Sequence, residues 1–177
     1  PLGSGRGPDA NYDTAAFGQG ISVSPIEMIR ALSALANQGM LPNPHLTTAI
    51  KYESGITRAV TIAPGVQVLK PTTATTVTNM LITVFDTGLL NGKMKMEHYT
   101  IAAKTGTAQI QQGGSYIPGD VYLHSFFGYF PARDPKFIIF LFAKKPHGQK
   151  YASATLAEPF DELAKFLINY YDIPPDR

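Results

Sequence analysis

The 177 residues contain neither cysteine nor tryptophan. Without cysteine the chain has no disulfide scaffold, no Cys-ligated zinc site and no thiol nucleophile. That suits an oxidising, extracytoplasmic setting without requiring one. Charge is scarce as well. Charged residues make up 16% of the chain, and 15 Lys+Arg against 13 Asp+Glu leave a formal net charge of +2. So small an excess is a poor electrostatic footprint for nucleic acid. Long apolar runs are also lacking: the longest, Phe137 to Ala143, has seven residues, whereas a membrane-crossing helix needs ~20. His45, His98, His124 and His147 show no metal-ligand spacing, and His-x-x-x-His does not occur. No metal or organic cofactor is implied.

What the chain does have is core-building material. It is 44% hydrophobic and 11% aromatic, the composition of one folded domain and not of a disordered chain. Pro1-Leu2-Gly3-Ser4 reads as the scar of a cleaved expression tag and Gly5-Arg6-Gly7 as linker, so residues 1–10 are set aside and 11–177 are taken as the domain.

Local signals then divide the chain. Ser24-Pro25-Ile26-Glu27 is a capping box with proline at the first helical position. The helix it starts carries Met28, Ile29, Leu32, Leu35 and Ala36 on one face and should stop at Asn37-Gln38-Gly39. Met40 to Lys51 reads as loop with short extended pieces, and Val60 to Val68 as a short strand pair broken at Pro64-Gly65. Pro71 opens a second helix ending near Gly88, with Val77, Met80, Leu81, Val84 and Phe85 inward; a polar loop follows from Leu89 to Tyr99. Thr100–Ile110, Val121–Phe130 and Lys136–Ala143 read as three strands, the last two joined by a turn at Pro131–Pro135. Ala154–Tyr171 is a closing helix with Phe160, Leu163, Phe166, Leu167 and Tyr170 inward, and Pro159 either starts its main run or bends it. Helices, then antiparallel strands, then a helix predict an α+β fold with one sheet face under the last helix.

Chemistry is most concentrated at Lys104-Thr105-Gly106-Thr107-Ala108. In an extended chain Lys104 and Gly106 share one face and Thr105 and Thr107 the other. A glycine within a strand often marks the close approach of a ligand or another backbone. A lysine beside two hydroxyls and a free strand edge suits an extended substrate ending in a carboxylate. The same residues also suit a plain strand with a surface lysine, since threonine favours strands. Gly18-Gln19-Gly20 lacks the third glycine of a dinucleotide fingerprint. The Tyr122–Phe130 aromatics read as sheet core, and Lys93-Met94-Lys95-Met96 and Lys144-Lys145 as short basic surface patches.

Four segments together resemble the transpeptidase domain of the class B penicillin-binding proteins. They are Phe17-Gly18-Gln19-Gly20-Ile21-Ser22-Val23-Ser24-Pro25, Lys104-Thr105-Gly106-Thr107-Ala108-Gln109, His124-Ser125-Phe126-Phe127-Gly128-Tyr129-Phe130-Pro131 and Asp172-Ile173-Pro174-Pro175-Asp176. The Lys-Thr-Gly element belongs to a set that also includes Ser-x-x-Lys and a Ser-Asp-Asn type motif. The resemblance implies a β-lactamase/transpeptidase-like fold, here in part. About three antiparallel strands, the C-terminal helix and some of the helical lobe are expected. The implied activity is that of a peptidoglycan D,D-transpeptidase that cross-links stem peptides in the cell wall, including during cell division, and binds β-lactams. Lys104, Thr105, Gly106 and Thr107 would be the catalytic-motif residues. Thr105 and Thr107 would grip a carboxylate, the Thr107 N–H would serve as an oxyanion donor, and Gln109 would line the groove.

No serine of this chain stands three places before a lysine, and none begins Ser-x-Asn. In the family those motifs precede the Phe17–Gly20 stretch. The expectation is therefore a C-terminal portion without the nucleophile, inactive alone, from a membrane-anchored parent on the extracytoplasmic face of the bacterial cytoplasmic membrane. It would leave Phe137–Phe142 as an uncovered, apolar sheet edge. The expected partners are stem peptides and β-lactams, and either the N-terminal half of the domain or a second copy at that edge. A serine β-lactamase or β-lactam sensor relative, or a non-catalytic interaction fragment, remain the alternatives.

Overall fold

The structure is a computed structural model that describes residues 8–113, 115–119 and 121–177. The stretch read as tag scar and linker, residues 1–7, lies outside the described residues. The chain then runs α1 (Pro8–Ala16), α2 (Pro25–Ala36), β1 (Met40–Leu41), β2 (Ala49–Lys51), β3 (Thr57–Ala59), β4 (Val66–Gln67) and α3 (Pro71–Thr83). After a π turn at Val84–Gly88 and a 3-10 turn at Leu89–Gly92 come β5 (Ala102–Gln109), β6 (Gln111–Gln112), β7 (Ser115–Tyr116), β8 (Tyr122–Phe130), β9 (Phe137–Lys144) and α4 (Ala152–Tyr170). Helix α1 begins within residues 1–10, set aside as tag scar and linker, with Pro8 at its first position.

The capping box of α2 is present. The Ser24 hydroxyl accepts from the Glu27 N–H, and the Ser24 N–H donates to Glu27 Oε2 at 2.8 Å. These bonds stabilise the carboxylate and hold Glu27 below its usual range. Gly39, at φ +85°, ends the segment, where a Cβ would lie 2.2 Å from the Leu69 carbonyl oxygen. The strand pair expected within Val60–Val68 is corrected. β4 pairs with β1, and Thr57–Ala59 pairs with Ala49–Lys51. Pro64-Gly65 is thus a connection and not the tip of a hairpin.

Three long strands form an antiparallel sheet in the order β5-β8-β9. Their alternation sends Ala103, Phe126, Phe130 and Ile139 to one face, under α4, and Ala102, Tyr129 and Ile138 to the other, against α2 and α3. On the α4 face Phe160 stacks on Phe126 at 4.4 Å between centroids and meets Phe85 edge-on. Burying such a ring contributes about 2–3 kcal/mol. The ring fits because residue 128 is glycine. A Cβ there would stand 2.5 Å from Phe160 and 2.9 Å from the Ala103 Cβ.

Two expectations for buried helix faces are corrected. Phe166 and Tyr170 lie outside, stacked on each other. Ala157, Ala164 and Ile168 take the inner face with Phe160, because small residues let α4 approach the sheet closely. Pro159 sits inside α4 without ending it. On α3, Met80 is exposed and Thr78 is buried, its hydroxyl 2.7 Å from the Tyr129 hydroxyl. Burial raises the Tyr129 phenol above its ordinary value, and the Thr78 bond offsets part of that rise.

The C-terminal tail is strapped across the segment leading into β5. The Asp176 carboxylate accepts from the Thr100 N–H at 2.7 Å and from its hydroxyl. Arg177 pairs with Asp86 and donates to the Met96 carbonyl. These contacts fix where β5 enters the sheet.

Candidate functional site

β5 changes character along its length. Ala102 and Ala103 are fully buried, Lys104 is exposed, Thr105 to Ala108 are half-buried, and Gln109 is exposed. Its outer edge has no strand partner among the described residues. The N-terminal end of β5 is therefore anchored in core, while the Lys-Thr-Gly stretch emerges toward solvent.

A cavity of about 550 Å³ lies between this stretch and the Phe17–Met28 segment. Phe17, Val23 and Met28 form one wall; Gly106, Ser125 and Phe142 belong to the sheet side. Thr105 and Thr107 also border it. Its size falls within the range of about 300–1,000 Å³ typical of small-ligand pockets. Among the described residues no group of three His, Cys, Asp or Glu is arranged to hold a metal ion.

The sequence-predicted residues come together as one strand, with different engagements. Lys104 Nζ donates to the Thr105 carbonyl at 2.9 Å and makes no ion pair among the described residues. Thr107 lies on the α4 side, where its Oγ1 accepts from the Ala152 N–H at 3.0 Å. It thus satisfies one donor at the start of α4, and its own hydroxyl proton stays free to be donated elsewhere. Gly106 faces Ser125 across the sheet, and a Cβ at Gly106 would lie 2.5 Å from Ser125 Oγ. Glycine at 106 therefore makes room for a neighbouring hydroxyl. Gln109 borders a second concavity beside the first.

Two residues beside the site were not singled out by the sequence reading. Ser125 places a hydroxyl on the cavity floor, and only the β5–β8 register puts it opposite Gly106. His124 is fully buried, with Nδ1 3.0 Å from Thr155 Oγ1 and Nε2 3.0 Å from the Lys150 carbonyl oxygen. It ties β8 to the start of α4 close to the Thr107–Ala152 bond. Its place on the same strand parity as Phe126 was the signal that could have marked it as buried.

The sequence model described as "Penicillin binding protein transpeptidase domain" matches residues 3–165. The chain is 31% identical over 155 residues to Stage V sporulation protein D of Bacillus subtilis, covering 82% of this chain and 23% of that protein. It is 27% identical over 173 residues to the peptidoglycan D,D-transpeptidase FtsI of Escherichia coli, covering 97% of this chain and 27% of that one. It thus spans about a quarter of the length of these curated relatives. Penicillin binding protein 3 of Mycobacterium tuberculosis, in its apo form, superposes with a TM-score of 0.81 at 27% identity, over 95% of this chain and 40% of that one. The same protein complexed with aztreonam gives 0.73 at 25% identity, over 97% and 48%. These neighbours carry the expected α+β transpeptidase architecture, and the three-stranded sheet with its closing helix is its counterpart here.

Proposed function

The chain belongs to the penicillin binding protein transpeptidase domain family, and from that premise we propose that it carries the substrate-docking half of a serine D,D-transpeptidase site. The carrying observation is the half-buried edge of Thr105–Ala108, unpaired among the described residues, along a cavity of about 550 Å³. Lys104, exposed and next in sequence to the lining residue Thr105, supplies positive potential to the strand. Thr105 and Thr107, whose side chains share the α4 face of the edge strand, donate their hydroxyls around the strand edge to the carboxylate that ends a stem peptide or decorates a β-lactam; the extended edge holds the peptide backbone. The Thr107 N–H is one of two oxyanion donors, a contribution of about 3 kcal/mol in a complete site.

Acyl transfer needs an activated nucleophile beside a base. Ser-x-x-Lys and Ser-x-Asn do not occur in these 177 residues, so both are supplied by another segment of the domain. In the complete enzyme the nucleophilic serine would attack the penultimate D-Ala carbonyl, expel D-Ala, and pass the acyl group to an acceptor amine. That reaction takes place outside the cytoplasmic membrane, where its peptidoglycan substrate lies. No helix among the described residues is long and apolar enough to cross a membrane.

The outer edge of β9 is unpaired among the described residues, and Phe142 is 53% exposed there. It is the place for the complementary half of the domain or, without one, for a second copy of this chain. Sedimentation velocity should show self-association; a well-dispersed monomer would remove the edge from the proposal.

The site itself is tested with ampicillin. Titration followed by amide NMR should give saturable, reversible shifts at Thr105 and Thr107, weakened about tenfold by Thr105→Ala, while the intact mass stays unchanged. An adduct of one acyl group would mean that a serine of this chain is activated after all. Absence of saturable shifts would sink the docking role.

A further inference from the structure

We propose that the hairpin of β2 and β3 is a docking arm for a partner protein, and that it takes an amphipathic helix with carboxylates beside its apolar stripe. Among the described residues the two strands pair only with each other, and every residue of both is exposed. Register fixes what each face carries. Ile50 lies across from Arg58. The Tyr52 N–H donates to the Ile56 carbonyl and the Val60 N–H to the Thr48 carbonyl, each at 2.9 Å, which extends the pairing by one residue pair at either end. Successive side chains alternate between faces. One face therefore holds Ile50, Tyr52, Ile56 and Val60 together with Thr48 and Arg58. The other holds Ala49, Lys51, Thr57 and Ala59. The alternation of the sequence runs on to Leu46 and Ile62, both exposed.

This is the pattern of a sheet whose apolar side lies on a core. Here that side is bare: Ile50 and Tyr52 are 45% exposed and Ile56 is 65% exposed. A two-stranded hairpin gains stability by packing against a helix, as the β5-β8-β9 sheet does under α4. Charge narrows the occupant further. Arg58 makes no ion pair among the described residues, and the apolar face carries no carboxylate. Between Met40 and Lys70, the cations Lys51, Arg58 and Lys70 stand against Glu53 alone, an excess equal to the formal net charge of +2 of the whole chain. The arm thus attracts an acidic partner, while the rest of the chain is balanced. Tyrosine and arginine are also the residue types that concentrate binding energy in protein interfaces. A second copy suits the face poorly, because two Arg58 guanidiniums would be buried together without a carboxylate. A lipid surface suits it poorly too, since Arg58 would enter hydrocarbon unpaired. The inference stands apart from the docking role proposed above.

The probe is an acetylated, amidated peptide of two copies of Glu-Leu-Leu-Glu-Ala-Leu-Ala, whose leucines form one helical stripe bordered by glutamates. It is titrated into the full chain and followed by amide NMR. Saturable shifts are expected from Thr48 to Val60 and none at Thr105 or Thr107. Ile56→Ser should weaken binding about tenfold, and Arg58→Glu about tenfold or more. With lysine in place of every glutamate, the peptide should prefer Arg58→Glu to the unaltered chain. Both variants should keep the circular dichroism of the unaltered chain, because both side chains are exposed. Failure to saturate would overturn the proposal. Equal binding of both peptides by the chain and by Arg58→Glu would overturn it in favour of non-specific adhesion. Phosphatidylglycerol vesicles that bind through Ile56 when the peptide does not would assign the face to a membrane instead. Self-association in sedimentation velocity that Ile56→Ser abolishes and Phe142→Ala does not would assign it to a second copy, and either result overturns the proposal.

Discussion

The two faces of the β5-β8-β9 sheet are built from the same strands and have opposite characters. Under α4 the face is closed: Phe126, Phe130 and Phe160 are all fully buried. The other face is closed only at one end, where Ala102 and Tyr129 meet α3. At the other end Ser125 and Phe142 look into a cavity. Each face contains one strand glycine that makes room for a neighbour. Gly128 admits an aromatic ring to the core, and Gly106 admits a hydroxyl to a ligand-sized space. The same local device serves stability on one face and access on the other. What separates them is whether a helix lies on top.

Large-to-small substitutions should break this symmetry most clearly. Phe160→Ala should destabilise the chain by about 4 kcal/mol in urea unfolding, because its ring has no solvent to fall back on. Phe142→Ala, on the open face, should cost under about 1 kcal/mol. Similar losses for both would mean that the second face is as closed as the first.

The glycines sharpen the point. Gly128→Ala should cost about 2 kcal/mol with no simple rescue, since the Ala103 Cβ that it meets is fixed to backbone. Gly106→Ala should cost less and be relieved by Ser125→Ala, which removes the one close atom. A double-mutant cycle reads this coupling directly.

Tyr129→Phe probes the closed end of the second face. It should cost about 1 kcal/mol, the net worth of the bond to Thr78. The pH dependence follows from the raised phenol. Because the folded-state value lies above the unfolded one, the stabilisation is complete below pH ~10 and is lost as pH rises through the folded value. Thermal unfolding of Tyr129→Phe should lack that alkaline loss.

An effect of similar size belongs to the exposed capping box. Ser24→Ala should cost about 1 kcal/mol, visible as a small loss of helical circular dichroism. Glu27 is held below its ordinary value, so its contribution is present above the usual carboxylate range and fades as pH falls through the depressed value. Glu27→Gln should flatten that acid limb.

Much of the fold was legible because the signals are local. Ser24-Pro25-Ile26-Glu27 specifies a helix start through its own side chains. The three strands and the Pro131–Pro135 turn follow from alternation and turn residues, and the structure places them within a residue or two of the expected bounds. The errors occur where burial depends on distant partners. Helical spacing put Phe166 and Tyr170 inside because they are apolar, while the tight approach of α4 selected Ala157 and Ala164 instead. The short strands paired wrongly for the same reason: two-residue ladders are held by whatever lies across from them, as Met40–Leu41 lies across from Val66–Gln67.

The site divides in the same way. The Lys104-Thr105-Gly106-Thr107 order, the alternation of its side chains and the family to which the chain belongs are properties of the sequence, since they need only residue identity and period. Ser125 beside Gly106, the Thr107 bond to the start of α4 and the buried Gln19 Oε1, without a hydrogen-bond partner among the described residues, are tertiary facts. They depend on register and on which segment folds back over the sheet, and contacts between residues far apart in the chain leave no local pattern to read.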